Sequence, residues 1–468
     1  MLVRNLTLSL LAASALSACT LAPPTVRPAL PVTDAWPIAA ANTGTASAAD
    51  LGWREVFIDP RLQGAIDLAL TNNRDLRVAV LNIEQSRAQY RIQRSALVPA
   101  VAASATGTKG ESSSAQVIGG GDRSVEVYTA NLGIASWEID LFGRVRSLSN
   151  AALQNYLATR ETSRSVQVSL IAQTAGAWLN LAADQDLLAL SQETLRTRQE
   201  TMDLVRKRFE AGAISQLEVS QAQTLIEAAR SDVATAAALV EQDKNALRLV
   251  VGADVPADLL PAGGLVTAQI LRDLPAGLPS DVLTRRPDVL AAEHQLAAAN
   301  ANIGAARAAF FPSISLTAST GVASNSLSSL FDSGNGAWTF QPRISLPIFS
   351  GGANIANLDS AKAGRDIAVA NYEKAVQVAF RDVSDGLAVQ STINERVGSQ
   401  ERLVAAANDT VRLSQARYGA GIDSSLAVLD AQRTLYTSQK TLILARLARE
   451  TNLATLYKAL GGGAPPAR

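Results

Sequence analysis

The chain has 468 residues, with 42 Lys and Arg against 42 Asp and Glu and so no net charge. That balance supplies no basic field to gather nucleic acid, and one His with one Cys leaves no cluster for a zinc site. Aromatic residues make up 4% against an apolar total of 47%, so the apolar residues are mostly small or aliphatic, which suits coiled-coil-like helices packed at close range.

Arg4, the apolar run of residues 6–16 and the small residues Ser17 and Ala18 read as a secretory signal peptide over residues 1–18, too short to span a membrane as a helix. Leu16, Ser17, Ala18 and Cys19 resemble a bacterial lipobox, whose Cys takes a diacylglycerol and, as the new first residue, an N-acyl chain. Cys19 is therefore the expected lipid attachment, and two or more acyl chains hold firmly. Residues 19–50, rich in Pro, Ala and Thr without an apolar period, read as a lipid-anchored, extended tether.

Beyond the tether the chain is internally duplicated. Arg208, Phe209, Ala211, Gly212, Leu217, Val219, Ala222 and Gln223 recur 209 positions later as Arg417, Tyr418, Ala420, Gly421, Leu426, Val428, Ala431 and Gln432. So long a period marks a duplicated domain, since solenoid repeats run about 20–50 residues. The first repeat covers residues 51–263, as helix, β-hairpin at about 100–142, long helix and helix. The second covers 264–462, with its hairpin at about 312–349, and residues 463–468 form a tail.

Leu181, Leu188, Leu195, Met202 and Phe209 fall every seven residues, as do Val397, Val404, Val411 and Tyr418, which implies left-handed supercoiling. No Pro interrupts residues 144–208 or 353–417, so each stretch can be one helix of about 65 residues, roughly 100 Å long. Between the helices, Trp338, Phe340, Ile344, Leu346 and Ile348 alternate with polar residues over about 10 positions, the length of a tilted membrane-crossing strand. This gives Trp338, Phe340, Ile344 and Leu346 as the lipid-facing strand. Ile314, Leu316 and Ala318 alternate likewise, and in the first half the alternation over residues 125–141 is weaker and shifts near Ala135.

Four strands per chain cannot close a barrel, and an open sheet in lipid would leave edge amides unpaired at several kcal/mol each. A chain that inserts must oligomerise. Two copies fill their interior with side chains, whereas three would give about 12 strands around a lumen. The rival reading is a periplasmic coiled-coil lipoprotein scaffold, tethered by Cys19 and without a pore.

Residues 277–289, GLPSDVLTRRPDV, and 305–321, AARAAFFPSISLTASTG, resemble signatures of the TolC-like outer membrane factor family, in its lipoprotein, OprM-like branch. Trp53, Phe57, Asp59, Pro60, Asn73, Asp75 and Leu76 fit that branch's opening segment, and YGAGIDSSLAVLDAQR at 418–433 fits its second periplasmic hairpin. The resemblance implies an α+β membrane protein, a homotrimer with a 12-stranded outer membrane β-barrel continued by a coiled-coil α-helical barrel in the periplasm. It further implies a passive export duct of a multidrug efflux system, opened by a periplasmic adaptor and an inner-membrane efflux pump.

On that resemblance Tyr418, Leu426, Asp430 and Arg433 form a periplasmic gate, and the turns carrying Gly212, Leu217 and Gly421 are the adaptor-docking tips. Three Asp430 carboxylates around one axis would repel, which a cation or Arg433 would relieve, and three Leu426 side chains would form an apolar ring. Some relatives carry a second acid three positions before Asp430, where this chain has Ala427. The first-half counterparts of Asp430 and Leu426 are Gln221 and Leu217. No bond-making catalysis is expected, His294 is expected to pack, and no cofactor is expected beyond the lipid on Cys19.

Overall fold

The computed structural model describes residues 20–24, 26–33, 35–37, 51–111, 124–265 and 283–462. The signal peptide, Cys19, residues 38–50 of the tether, the first six residues of the 277–289 signature and the tail lie outside the described residues. In chain order the elements are α1 (Trp53–Val56), α2 (Pro60–Asn72), α3 (Arg74–Ser95), β1 (Val101–Glu111), β2 (Ser124–Ile139), α4 (Arg144–Glu210) and α5 (Gln216–Val251). They continue as α6 (Pro287–Ala308), β3 (Ser313–Ser324), β4 (Gly336–Ser345), α7 (Ala353–Gly419) and α8 (Ser425–Ala459). Both α4 and α7 are 67 residues long and contain no Pro. Among the described residues no helix is long and apolar enough to cross a membrane.

The chain divides into two compact units, the first made of residues 1–29, 82–160 and 291–372, the second of 30–81, 161–290 and 373–468. The first unit holds one antiparallel sheet in the order β1-β2-β3-β4. Val101 pairs with Ile134, Ile139 with Ile314, and Ser313 with Ser345. The register of β2 on β3 skips between Ile134 and Trp137, with Ser136 at φ 51°, so the shift in alternation near Ala135 is a β-bulge that re-aims the strand. Trp338, Phe340 and Ile344 share one face of β4 and are 76%, 61% and 69% exposed. Leu346 corrects the expectation, because it lies beyond β4. Pairing ends at Ser345 opposite Ser313, with Pro347 and Pro312 just outside the ladder, and a Pro has no N–H to donate to it. For the same reason the strands stop at Ile139 and Ser345, short of residues 142 and 349.

Leu21, Ala22 and Arg27 of the tether lie against α6. Arg307 donates to the Leu21 carbonyl (3.0 Å), and Arg27 makes a paired contact with Glu293 (3.1 and 2.5 Å). Between them Gly304 faces Ala22 so closely that a Cβ would stand 2.8 Å from it, which leaves room only for glycine. The strap covers six residues while α6 covers 14, and both spans come to about 21 Å, an extended chain antiparallel to a helix.

The second unit carries the main core. Phe57, Leu62 and Ile66 meet Leu179 and Leu181 of α4, Leu247 and Val251 of α5, Val383 of α7, and Leu456 and Tyr457 of α8. Asp59 caps α2, accepting from Arg61 N (2.7 Å) and Leu62 N (3.1 Å) with Pro60 at the first helical position. Asn73 accepts from Leu76 N (2.8 Å) and donates to the Val250 carbonyl (2.7 Å), tying the opening segment to α5. Arg286, the second arginine of the 277–289 signature, is buried and donates to the Ala459 carbonyl at the end of α8 (2.6 Å) while its other nitrogens hold Asp288. A cation on the last carbonyls of a helix satisfies groups the helix itself cannot.

Candidate functional site

The far ends of the long helices turn back through two matching caps. At the end of α4 Gly212 sits at φ 68°, with Gly212 N donating to Phe209 O (2.9 Å) and Ala213 N to Arg208 O (2.9 Å). At the end of α7 Gly421 sits at φ 74°, with Gly421 N donating to Tyr418 O and Ile422 N to Arg417 O, both 3.0 Å. This is the Schellman arrangement, in which a left-handed residue satisfies orphan carbonyls, and Gly adopts it without a Cβ penalty. Leu217 and Leu426, one in each tip, are 65% and 57% exposed. Across the second turn Arg417 grips Asp423 (2.6 and 3.0 Å) and holds that carboxyl below the usual carboxylate range.

Each helix pair is closed by an apolar cluster of its own. Met202 and Val205 of α4 pack on Ala222 and Ile226 of α5, and Ile393 and Val397 of α7 pack on Leu442 and Ala445 of α8. Towards the tips, from Ser191 to Thr201, the seam between α4 and α8 is polar instead. Tyr436 meets Ser191 (3.2 Å), Gln432 donates to Thr201 Oγ1 (3.3 Å), and the buried Arg198 donates to the Leu225 carbonyl (2.7 Å) with its guanidinium 5.5 Å from the Tyr436 ring. Burial pushes the Arg198 guanidinium below its ordinary value. Ser425 at the start of α8 donates to Glu218 of α5 (2.5 Å).

Of the four expected gate residues, three lie together and one stands apart. Leu426, Asp430 and Arg433 line a cavity of about 570 Å³ between α5 and α8, opposite Gln221, Thr224 and Leu225. Arg433 is ion-paired with Asp430 one turn away. Tyr418 is elsewhere in the tip, 6% exposed, its hydroxyl buried without a partner and its ring covered by Arg208 at 4.2 Å. Arg208 also reaches the Tyr418 carbonyl (3.4 Å).

Arg208 and Glu218 were missed by the sequence reading. The 209-residue offset held the signal for Glu218, because it places that acid opposite Ala427, the position where some relatives have their second carboxylate. His294 packs against Gln154, its Nδ1 2.8 Å from the amide oxygen. Among the described residues no group of three or more His, Cys, Asp or Glu could hold a metal ion.

One unit with an antiparallel sheet whose β4 face is apolar and exposed, and a second with two long helical hairpins and matched tips, fit the class of membrane conduits. The outer membrane efflux protein family model matches residues 65–253 and 278–462, and the chain belongs to that family. The chain is 49% identical over 452 residues to the antibiotic efflux pump outer membrane protein ArpC of Pseudomonas putida, across 96% of this chain and 93% of that one. Among solved structures it is similar to a membrane protein from Pseudomonas aeruginosa, 41% identical with a TM-score of 0.90 over 95% of this chain and 98% of that one. It is likewise similar to the open state of the MtrE outer membrane channel of Neisseria gonorrhoeae, 43% identical with a TM-score of 0.88 over 95% and 98%. The protein is thus an outer membrane efflux protein that extends into the periplasm, a transport conduit and not an enzyme.

Proposed function

We propose that the protein works as a homotrimer, anchored by acyl chains on Cys19, whose three sheets close one 12-stranded barrel above a tube of α-helices. The observation that carries this is the strand order: β1 and β4 are the edges of the sheet, and a sheet in lipid cannot keep open edges. Each β4 beside the next copy's β1 removes one edge from each copy, and closing the ring removes the last two. The strap supports the anchor, because Leu21, two residues after Cys19, is held by Arg307 near the end of α6, where the chain passes into β3.

In this reading the cavity beside Leu426, Asp430 and Arg433 lies at the periplasmic mouth. Leu426 supplies an apolar ring capable of dewetting, Asp430 with Arg433 supplies the charged ring, and Tyr418 under Arg208 closes the neighbouring contact. Opening parts the polar α4–α8 seam while each apolar helix pair stays intact. An adaptor docks at the tips carrying Gly212, Leu217 and Gly421, and an inner-membrane pump supplies the energy. Small organic compounds of the antibiotic class are the proposed cargo, after the relative named for their efflux. Mass measurement of the detergent-extracted protein, followed by single-channel recording in a planar bilayer, tests the reading. A trimer with small, flickering conductance is expected, and a stable monomer or a silent trimer overturns it.

A further inference from the structure

The first unit is strongly asymmetric in charge along its sheet. The end at which the strands meet helices is bounded by Val101, Ile139, Ser313 and Ser345. Residues 85–100, 138–146, 303–315 and 340–352 surround that end, and they carry seven arginines against two carboxylates. The two carboxylates are already engaged, Glu138 by Arg144 (3.0 and 2.5 Å) and Asp140 by Arg146 (3.2 Å). The other five, Arg87, Arg91, Arg94, Arg307 and Arg343, are exposed, and among the described residues none of them forms an ion pair. The loop end is the reverse. Described residues 106–111, 124–130 and 320–338 hold Lys109 against Glu111, Glu126 and Asp332.

Of the other described carboxylates on the helices of this unit, Glu84 stands one turn before Arg87 on α3 and leaves the collar basic by four. Glu293 is paired with Arg27, Asp359 with Lys362, and Asp366 with Arg365. Arg87, Arg91 and Arg94 follow one another at i, i+4 and i+7 on one face of α3, whose last residue is six short of β1.

We propose that the helix end of the sheet is a basic collar that binds the phosphates of anionic phospholipids in the periplasmic leaflet. The proposal rests on the reading of the sheet as a membrane barrel. Its physical basis is charge complementarity. Guanidiniums meet phosphates with two-point hydrogen bonds, and a polybasic surface next to an apolar one is drawn to an anionic leaflet within a Debye length. Headgroups about 5–8 Å deep on each side of the hydrocarbon would cover the last turns of α3 and α6, which carry Arg91, Arg94 and Arg307, while Arg87, about 12 Å from the end of α3, adds to the field beneath them.

The test uses the full lipidated chain as a trimer in nanodiscs of phosphatidylcholine, with phosphatidylglycerol titrated in, and reads the temperature at which the trimer dissociates. The expected result is a rise with phosphatidylglycerol that about 0.5 M salt suppresses. Replacing Arg87, Arg91, Arg94 and Arg343 by Gln, which leaves the Arg307 contact with the strap in place, should move the half-saturating lipid fraction by roughly tenfold or more, with conductance unchanged. If that variant does not assemble, Arg91→Gln with Arg94→Gln and the salt titration of the unaltered trimer carry the same test. A trimer indifferent to phosphatidylglycerol overturns the collar, as does a variant that keeps the full response. A variant that changes anion selectivity without changing the lipid response places the guanidiniums on the pore and also overturns it. Conductance without lipid dependence removes the collar and leaves the channel, whereas absence of conductance removes the barrel reading beneath both.

Discussion

Gln221 on α5 and Asp430 on α8 occupy the same place in the two halves of the chain, 209 residues apart, and they line one cavity. The duplication therefore sets a neutral amide opposite a carboxylate, and the ion pair Asp430 makes is with Arg433 on its own helix. A gate built on this pair is unequal by construction, because the charged side chains lining the cavity, Asp430 and Arg433, are both on α8.

Asp430→Ala combined with Leu426→Ser should raise passive conductance several-fold, because the dewetting ring and the charged ring go together. Single-channel recording at low salt is the measurement. Conductance equal to that of the unaltered trimer removes both residues from the gate.

Arg208→Ala should loosen the second tip without touching the cavity. The cation–π contact with Tyr418 is worth about 0.5–1 kcal/mol at a partly exposed site, and the bond to the Tyr418 carbonyl goes with it. An open probability a few times higher is expected, with Arg208→Lys intermediate. A change in trimer stability with no change in opening would make Arg208 merely structural.

Asp243 gives a pH dependence of unusual sign. Burial first, and then the charge of Asp184, lift its carboxyl to about 6 from an ordinary 3.8. A native value above the unfolded one means that the folded chain binds more protons between about pH 4 and 6, so the stabilising protonation is complete below that window and lost as pH rises through it. Asp243→Asn should therefore unfold later than the parent at pH 8 by about 1 kcal/mol, after discounting for solvent screening. The two should converge near pH 4. A parent that is the more stable of the two at pH 8 contradicts the carboxyl pairing.

Gly421→Ala isolates backbone strain, because nothing lies within 4 Å of the added Cβ while φ stays at 74°. The left-handed conformation costs a non-glycine residue roughly 1–2 kcal/mol, so amide exchange over residues 420–424 should speed about tenfold while the α7–α8 core keeps its protection. Unchanged exchange would mean that the turn is not held by its left-handed residue.

The sheet, the long helices and their duplication were legible because each has a local signature. Period two in Trp338, Phe340 and Ile344, period seven in Leu181, Leu188 and Leu195, and the absence of Pro all act through neighbours a few residues away. The same locality placed Gly212 and Gly421 at turns, and it marked the bulge after Ile134 as a break in alternation. Leu346 went the other way, since an alternation continues on paper past the point where Pro347 ends the ladder. Within the candidate site, the residues that carry the family motif were legible, but their contacts were not.

What the sequence by itself determined is therefore the family, the order of elements and the residue types at the tips. Only the tertiary structure decided which of those residues meet. It docked the strap through Arg27 and Glu293, which are 266 residues apart, and sent Arg286 to the last carbonyls of α8. It also made the α4–α8 seam polar towards the tips where each helix pair is apolar, and it separated Tyr418 from Asp430 although both belong to one short motif. The physical reason is range: periodicity records which face a residue occupies, while a hydrogen bond or ion pair needs two backbones brought within a few ångströms by the packing of everything between them.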